Sequence, residues 1–87
     1  MIYKQKKLKN NIFIRTFDEN VSKDDLVWHY DLNNRNITVI ESNNWMFQFD
    51  DELPFFLKEK KKINIPKNVY HRIIKGNGKL VLKIEEY

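Results

Sequence analysis

The chain contains no cysteine and no alanine, and only two glycines and two prolines among its 87 residues. Without cysteine there is no disulfide framework, no thiolate metal site and no Cys nucleophile. That absence fits a reducing compartment, and a cytoplasmic protein is the expectation. So few glycines and prolines leave the turns to Asn, Asp and Lys-rich segments. No apolar run approaches the ~20 residues that span a bilayer, so no membrane partner is expected. The basic N-terminus, Met1 to Asn10, is followed by no long apolar segment and no small-residue cleavage site. A Gly-rich phosphate loop, a Ser/His/Asp order and a CxxC pair are all missing, which removes the chemistries that depend on them.

What the chain does have is aromatic and basic. Aromatic residues make up 14% of it, and Trp45, Phe47, Phe49, Phe55 and Phe56 lie close together. A domain this short buries a modest share of its surface, and large aromatic side chains compensate. The net charge is +4. Much of that excess sits in two clusters, Lys4/Lys6/Lys7/Lys9 and Lys58/Lys60/Lys61/Lys62, with few arginines (Arg15, Arg35, Arg72). Lysine runs without interleaved stacking aromatics read as a solvated surface and weigh against nucleic acid as a partner. Abundant Lys, Asn and Ile together suggest an AT-rich coding sequence, as in some bacteria and their phages, so part of the lysine excess is codon bias.

The pattern along the chain is that of short strands. Asn11–Phe17, Leu26–Asp31, Arg35–Glu41, Trp45–Phe49, Leu53–Leu57, Ile63–Ile65, Tyr70–Ile74 and Lys79–Glu85 read as strands, with the last two as a pair joined by Lys75–Gly78. Trp45, Phe47 and Phe49 share one face of their strand, and Met46 and Gln48 the other. No segment has a 3.6-residue period. Strands at this spacing, with turn signals between them, predict an all-β fold, an antiparallel sandwich or barrel. The whole chain, 1–87, reads as a single domain. An N-terminal segment (1–21) forms a strand and an arm for dimer contact, ahead of the part that carries the motifs (22–85).

Two apolar, strand-like segments each carry a histidine: Val27-Trp28-His29-Tyr30-Asp31 and Ile65-Pro66-Lys67-Asn68-Val69-Tyr70-His71. His29 and Asp31 are two apart and so share a face. Two histidines and one carboxylate brought together from two strands are the ligand set of an open 2-His-1-carboxylate metal site.

These residues resemble the two motifs of the cupin superfamily, small β-barrels of the jelly-roll type. In the second motif, G(X)5PXG(X)2H(X)3N, Pro66, Asn68 and His71 stand at the P, G and H positions, with Lys60 and Lys75 at the outer G and N. In the first, G(X)5HXH(X)3,4E(X)6G, His29 matches the first His. Asp31 replaces the second, Arg35 the Glu, and Lys23 and Ser42 the glycines. The resemblance runs in register over roughly residues 22–85, most of a one-domain chain. It implies a divalent transition metal (Fe, Mn, Ni or Zn) held by His29, Asp31 and His71. Arg35 would then orient a small anionic ligand, with Gln48 as a polar contact if it faces inward. It also implies a homodimer, which Trp28, Tyr30 and the Ile12/Phe13/Ile14 strand would serve as apolar surface.

Each signal has a plainer reading. An Asp31–Arg35 ion pair and two hydrogen-bonded histidines would fill the same space without metal. Gln48 would face outward, opposite Trp45, Phe47 and Phe49. Trp28 and Tyr30 would pack on a second sheet. Arg72, next to His71, points the other way and is a surface or salt-bridge residue. The functions left open are a metal-dependent reaction on a small anionic metabolite, a metal-free ligand-binding module, and an interaction protein.

Overall fold

The computed structural model describes residues 2–87; Met1, the first residue of the N-terminal segment, lies outside them. Eight strands follow in order: β1 (Lys4–Lys9), β2 (Ile12–Phe17), β3 (Arg35–Asn43), β4 (Met46–Phe49), β5 (Phe55–Phe56), β6 (Lys62–Ile65), β7 (His71–Ile74) and β8 (Asn77–Glu86). Among the described residues the only helical element is a single 3-10 turn, Lys23–Asp25, capped by the Ser22 hydroxyl. No helix is long and apolar enough to cross a membrane.

The strands form two antiparallel sheets, one of five strands in the order β1-β2-β8-β3-β6 and one of three in the order β5-β4-β7. Alternation explains which face of each strand is inside. On β8, Leu80, Leu82 and Ile84 are buried and the intervening positions are not. Ile37 and Val39 do the same on β3, and Ile63 and Ile65 on β6. From the other sheet, Phe47 is 2% exposed, and Trp45, just before β4, is 0% exposed. The two inner faces meet in one apolar core, joined by Phe17 and Leu57.

Two readings of the sequence need correction. The strand ending at Ile74 and the one beginning near Lys79 are not a hairpin pair. β7 pairs with β4, whereas β8 lies between β2 and β3 in the other sheet. The short connection at Lys75–Gly76 therefore crosses from one sheet to the other. Gly76 packs directly on the β3–β4 turn, where a Cβ would lie 2.4 Å from backbone atoms of Asn43, Asn44 and Trp45. The indole of Trp45 donates to the Asn77 carbonyl at 3.1 Å and pins the crossing. Second, Leu26–Asp31 is not a strand, its one ladder pairing being the His29–His71 bridge, whereas the basic stretch Lys4–Lys9, to which the sequence pattern assigns no strand, is one. β1 is fully exposed along its length and pairs with β2 at the sheet edge. An edge strand rich in lysine needs no apolar alternation and resists pairing with another edge. Ile12, Phe13 and Ile14 consequently lie inside the sheet, between β1 and β8, and are half-buried.

The turns use the residue types that scarce glycine demanded. Asn44, Asp51, Lys60 and Asn68 all adopt positive φ, between 61° and 71°. Lys60 and Asn68, at two positions that the resemblance aligns with glycine, both adopt the left-handed conformation that glycine takes readily.

Candidate metal centre and cavity

The segment Val27–Asp31 is extended but joins no sheet. Its one ladder contact is a bridge in which His29 and His71 exchange both backbone hydrogen bonds, at 3.0 and 2.9 Å. The turn after Ile65 is tied to the same segment. Asn68 N–H donates to the Asp31 carbonyl at 2.8 Å, and Lys67 N–H to Asn34 Oδ1 at 3.0 Å. Backbone pairing thus brings the two histidines side by side, with ring centroids 4.4 Å apart.

Both rings are oriented in the same way. His29 Nδ1 donates to the Val27 carbonyl at 3.0 Å, and His71 Nδ1 to the Val69 carbonyl at 2.8 Å. A carbonyl only accepts, so each Nδ1 carries the hydrogen, and in the neutral ring each Nε2 presents a lone pair. The Phe47 ring stacks on His71 at 5.4 Å. His71 is 3% exposed, whereas His29 is exposed and sits at the mouth of the site rather than deep inside. One ligand atom each from His29, Asp31 and His71 lie within 4.8 Å of one another.

The protonation of His71 decides what can lie between them. Burial is the main influence on His71 and lowers its pKa. The Val69 carbonyl and Asp31 work the other way, while His29 and Arg35 add to the lowering. The neutral ring then turns its Nε2 lone pair toward Asp31 Oδ2, 3.3 Å away. Asp31 Oδ2 is buried and has no hydrogen-bond donor. Two acceptors facing each other in a buried place leave both unsatisfied unless a proton or a metal ion lies between them. Two imidazoles and a carboxylate suit a first-row transition metal, so the donor set fits the group.

Arg35 lies beside this triad, but its guanidinium is taken. It contacts Asp31 Oδ1 at 3.2 Å through Nη1, and Glu86 Oε2 at 2.9 Å through Nε and 2.8 Å through Nη2. As the first residue of β3, cross-strand from Glu86 at the end of β8, Arg35 ties the Asp31 carboxylate to the larger sheet. Gln48 is not brought to the site. Its side chain accepts from Arg72 Nε at 2.9 Å and donates to the Glu52 carbonyl at 2.9 Å, and it is absent from the cavity wall. Strand alternation on β4 puts it opposite Phe47. Arg72 lies on that outer side too, its guanidinium 4.7 Å from the Trp28 ring. Trp28 and Tyr30 are 40% and 47% exposed.

The triad opens into a cavity of about 270 Å³ between the sheets, with a wall that includes Phe17, Ile37, Phe47, Ile73 and Leu82. Sequence reasoning assigned neither Tyr3 nor Arg15, which both line it, to the site. The signal for Arg15 was its phase. It shares a face of β2 with Phe17, which is buried, and the weak alternation of that strand hid this.

No family model matches the sequence, and among curated proteins none matches it. Solved structures do resemble it. An RmlC-like cupin with a double-stranded β-helix fold from Methanocaldococcus jannaschii superposes with TM-score 0.70 at 16% identity, over 98% of this chain and 78% of the other. A cupin-2 domain protein from Shewanella frigidimarina gives 0.69 at 21%, over 98% and 79%. Fe(II) HppE gives 0.68 at 17%, over 87% of this chain and 41% of that one. The chain spans less than half of such larger neighbours, and 36% of a structure described as a DMSP lyase. At these identities the likeness establishes the fold, which is that of the cupins.

Proposed function

We propose that this cupin-fold chain binds a divalent transition metal through His29, Asp31 and His71, and that the adjoining cavity receives a small molecule. The observation that carries the reading is the buried pair of facing acceptors, His71 Nε2 and Asp31 Oδ2, with a third ligand atom from His29 at the cavity mouth. Neighbours of the same fold include HppE determined with Fe(II), and with Co(II) in complex with substrate. This supports an ion of that class, with Fe, Mn, Ni and Zn as the candidates.

A bound ion of this class supplies Lewis-acid polarisation of a ligand oxygen. The chain's own residues do the rest. The Val27 and Val69 carbonyls hold the two imidazoles in the ligating tautomer. Arg35 and Glu86 fix the Asp31 carboxylate, and the apolar wall excludes water from the ligand's body. The guanidinium beside Asp31 weakens the attraction for a cation, but Glu86 offsets much of that charge.

The test is elemental analysis of the purified protein at neutral pH, with calorimetric titration of Zn(II) and Mn(II) into chelator-treated protein. The expected result is one ion per chain, a raised melting temperature, and loss of both in His71→Ala. A metal-free protein with no calorimetric response overturns the reading. It would leave a pocket closed by the Arg35–Asp31 pair, acting as a metal-free binding module.

A further inference from the structure

The second arginine of the cavity wall has no carboxylate partner. Arg15 projects from β2, and its guanidinium lies 3.9 Å from the centre of the Tyr3 ring. Its Nε and Nη2 both donate to Gln5 Oε1, at 2.9 and 2.6 Å. Gln5 is neutral, and it is the cross-strand neighbour of Arg15 in the β1–β2 ladder. Among the described residues no Asp or Glu lies within ion-pair distance of Arg15. A guanidinium has five N–H donors in a rigid fork. Gln5 takes one edge of that fork. The other edge, formed by Nη1 and the remaining Nη2 hydrogen, is unused by the described residues. Tyr3 and Gln5 therefore hold the group in place without neutralising it.

This contrasts with Arg35, the arginine that the motif spacing singled out. Arg35 has its charge balanced by Asp31 and Glu86, which engage its Nε, Nη1 and Nη2, so neither edge of its fork is free as one edge of Arg15 is. The geometry points to Arg15 as the anion receptor of the cavity, taking the carboxylate of a small monoanionic organic acid whose apolar body lies against Phe47, Ile37 and Leu82. The inference rests on the cavity of the preceding section and names its ligand class. Three features set that class. An end-on guanidinium edge matches the two oxygens of a carboxylate. A single free fork suits a monoanion better than a phosphate, which gathers several cations. At about 270 Å³ the cavity lies just below the ~300–1,000 Å³ of drug-sized ligand sites, so the body must be small. Charge agrees once an ion is present. Asp31, Glu86 and Asp25, which is exposed at the rim, then face Arg35, Arg15 and a divalent cation, an excess of one positive charge that a monoanion cancels.

Calorimetric titration of benzoate, with benzamide and inorganic phosphate as comparison probes, tests this. It is run on chelator-treated protein and again on protein given Zn(II). Benzoate is expected to bind saturably in both, more tightly with Zn(II), while benzamide and phosphate do not. Arg15→Gln should weaken benzoate at least tenfold with an unchanged melting temperature and unchanged Zn(II) uptake. Arg15→Lys, which keeps the charge but loses the fork, should weaken it less, and it decides the matter if the glutamine variant does not fold. Equal benzoate binding in wild type and variants, no benzoate binding by wild type, or phosphate binding as well as benzoate each overturns the inference. Failure of Zn(II) uptake with intact Arg15-dependent benzoate binding strikes only the metal reading.

Discussion

Arg35, at the position that the resemblance in the sequence aligns with a glutamate, lies between two carboxylates in the structure. It links Asp31 to Glu86. With Arg35 and Asp31 side chains only 15% and 12% exposed, removing the guanidinium leaves a largely buried carboxylate unpaired. Arg35→Ala is therefore expected to lower stability by about 3–5 kcal/mol, read from denaturant melts of the metal-free protein. Added Zn(II) should restore part of the loss, because a cation at Asp31 replaces the missing charge. His71 makes a pH prediction. Burial lowers its pKa in the folded state below the ordinary histidine value of ~6.5. The folded chain then binds fewer protons than the unfolded one between those two values, so stability is full above about pH 6.5 and falls as pH drops toward the folded value. Melting temperatures of metal-free protein across this range should decline for wild type and decline less for His71→Asn. Parallel curves would remove His71 as the cause.

At the scale of the elements, the turns show how the chain manages with two glycines. Lys60 has φ 71° and Asn68 has φ 64°. Asparagine tolerates this conformation better than lysine does. Lys60→Gly is expected to stabilise the protein by about 0.5–1 kcal/mol, and Asn68→Gly to change it less, as measured by urea midpoints. A destabilised Lys60→Gly would mean that the lysine side chain, not the backbone, matters at that turn. The same scale holds the clearest misreading of the sequence. Tyr70–Ile74 and Lys79–Glu85, separated by a Gly-containing turn, look like a hairpin. Yet their strands belong to opposite sheets. A turn signal marks a change of direction, and nothing local distinguishes a return to the same sheet from a crossing to the facing one.

For the molecule as a whole, the unresolved charge and apolar surface concern association. β1 guards one sheet edge with lysines. The outer side of the smaller sheet is different. Trp28, Tyr30, Tyr70 and Phe56 are each 40–49% exposed, with the Tyr30 and Tyr70 rings 5.0 Å apart. We propose that the dimer contact expected from the sequence lies on this side, since Trp28 and Tyr30 are exposed there whereas Ile12, Phe13 and Ile14 are half-buried. Sedimentation equilibrium at micromolar concentration should give twice the chain mass, and the double variant Trp28→Glu/Tyr70→Glu should give the single mass. A monomeric wild type would refute the assignment.

The sequence by itself determined the β class, the positions of most strands and the pairing of His29 with Asp31 on one face. These follow from period-two alternation and turn chemistry, which act between near neighbours. The link to His71 was also legible, through the spacing of Pro66, Asn68 and His71. Only the tertiary structure decided that Val27–Asp31 stays outside both sheets apart from one bridge, and that β7 and β8 part company. It also decided the roles of the polar side chains near the site. Glu86, 51 residues from Arg35, saturates the arginine that spacing had marked for a ligand. Gln48 is drawn outward to Arg72, while Arg15, unremarkable in the sequence, lines the cavity. Alternation fixes which face a residue occupies, but the partner it meets there comes from a strand distant in the chain, and ion pairing between such strands leaves no local pattern to read.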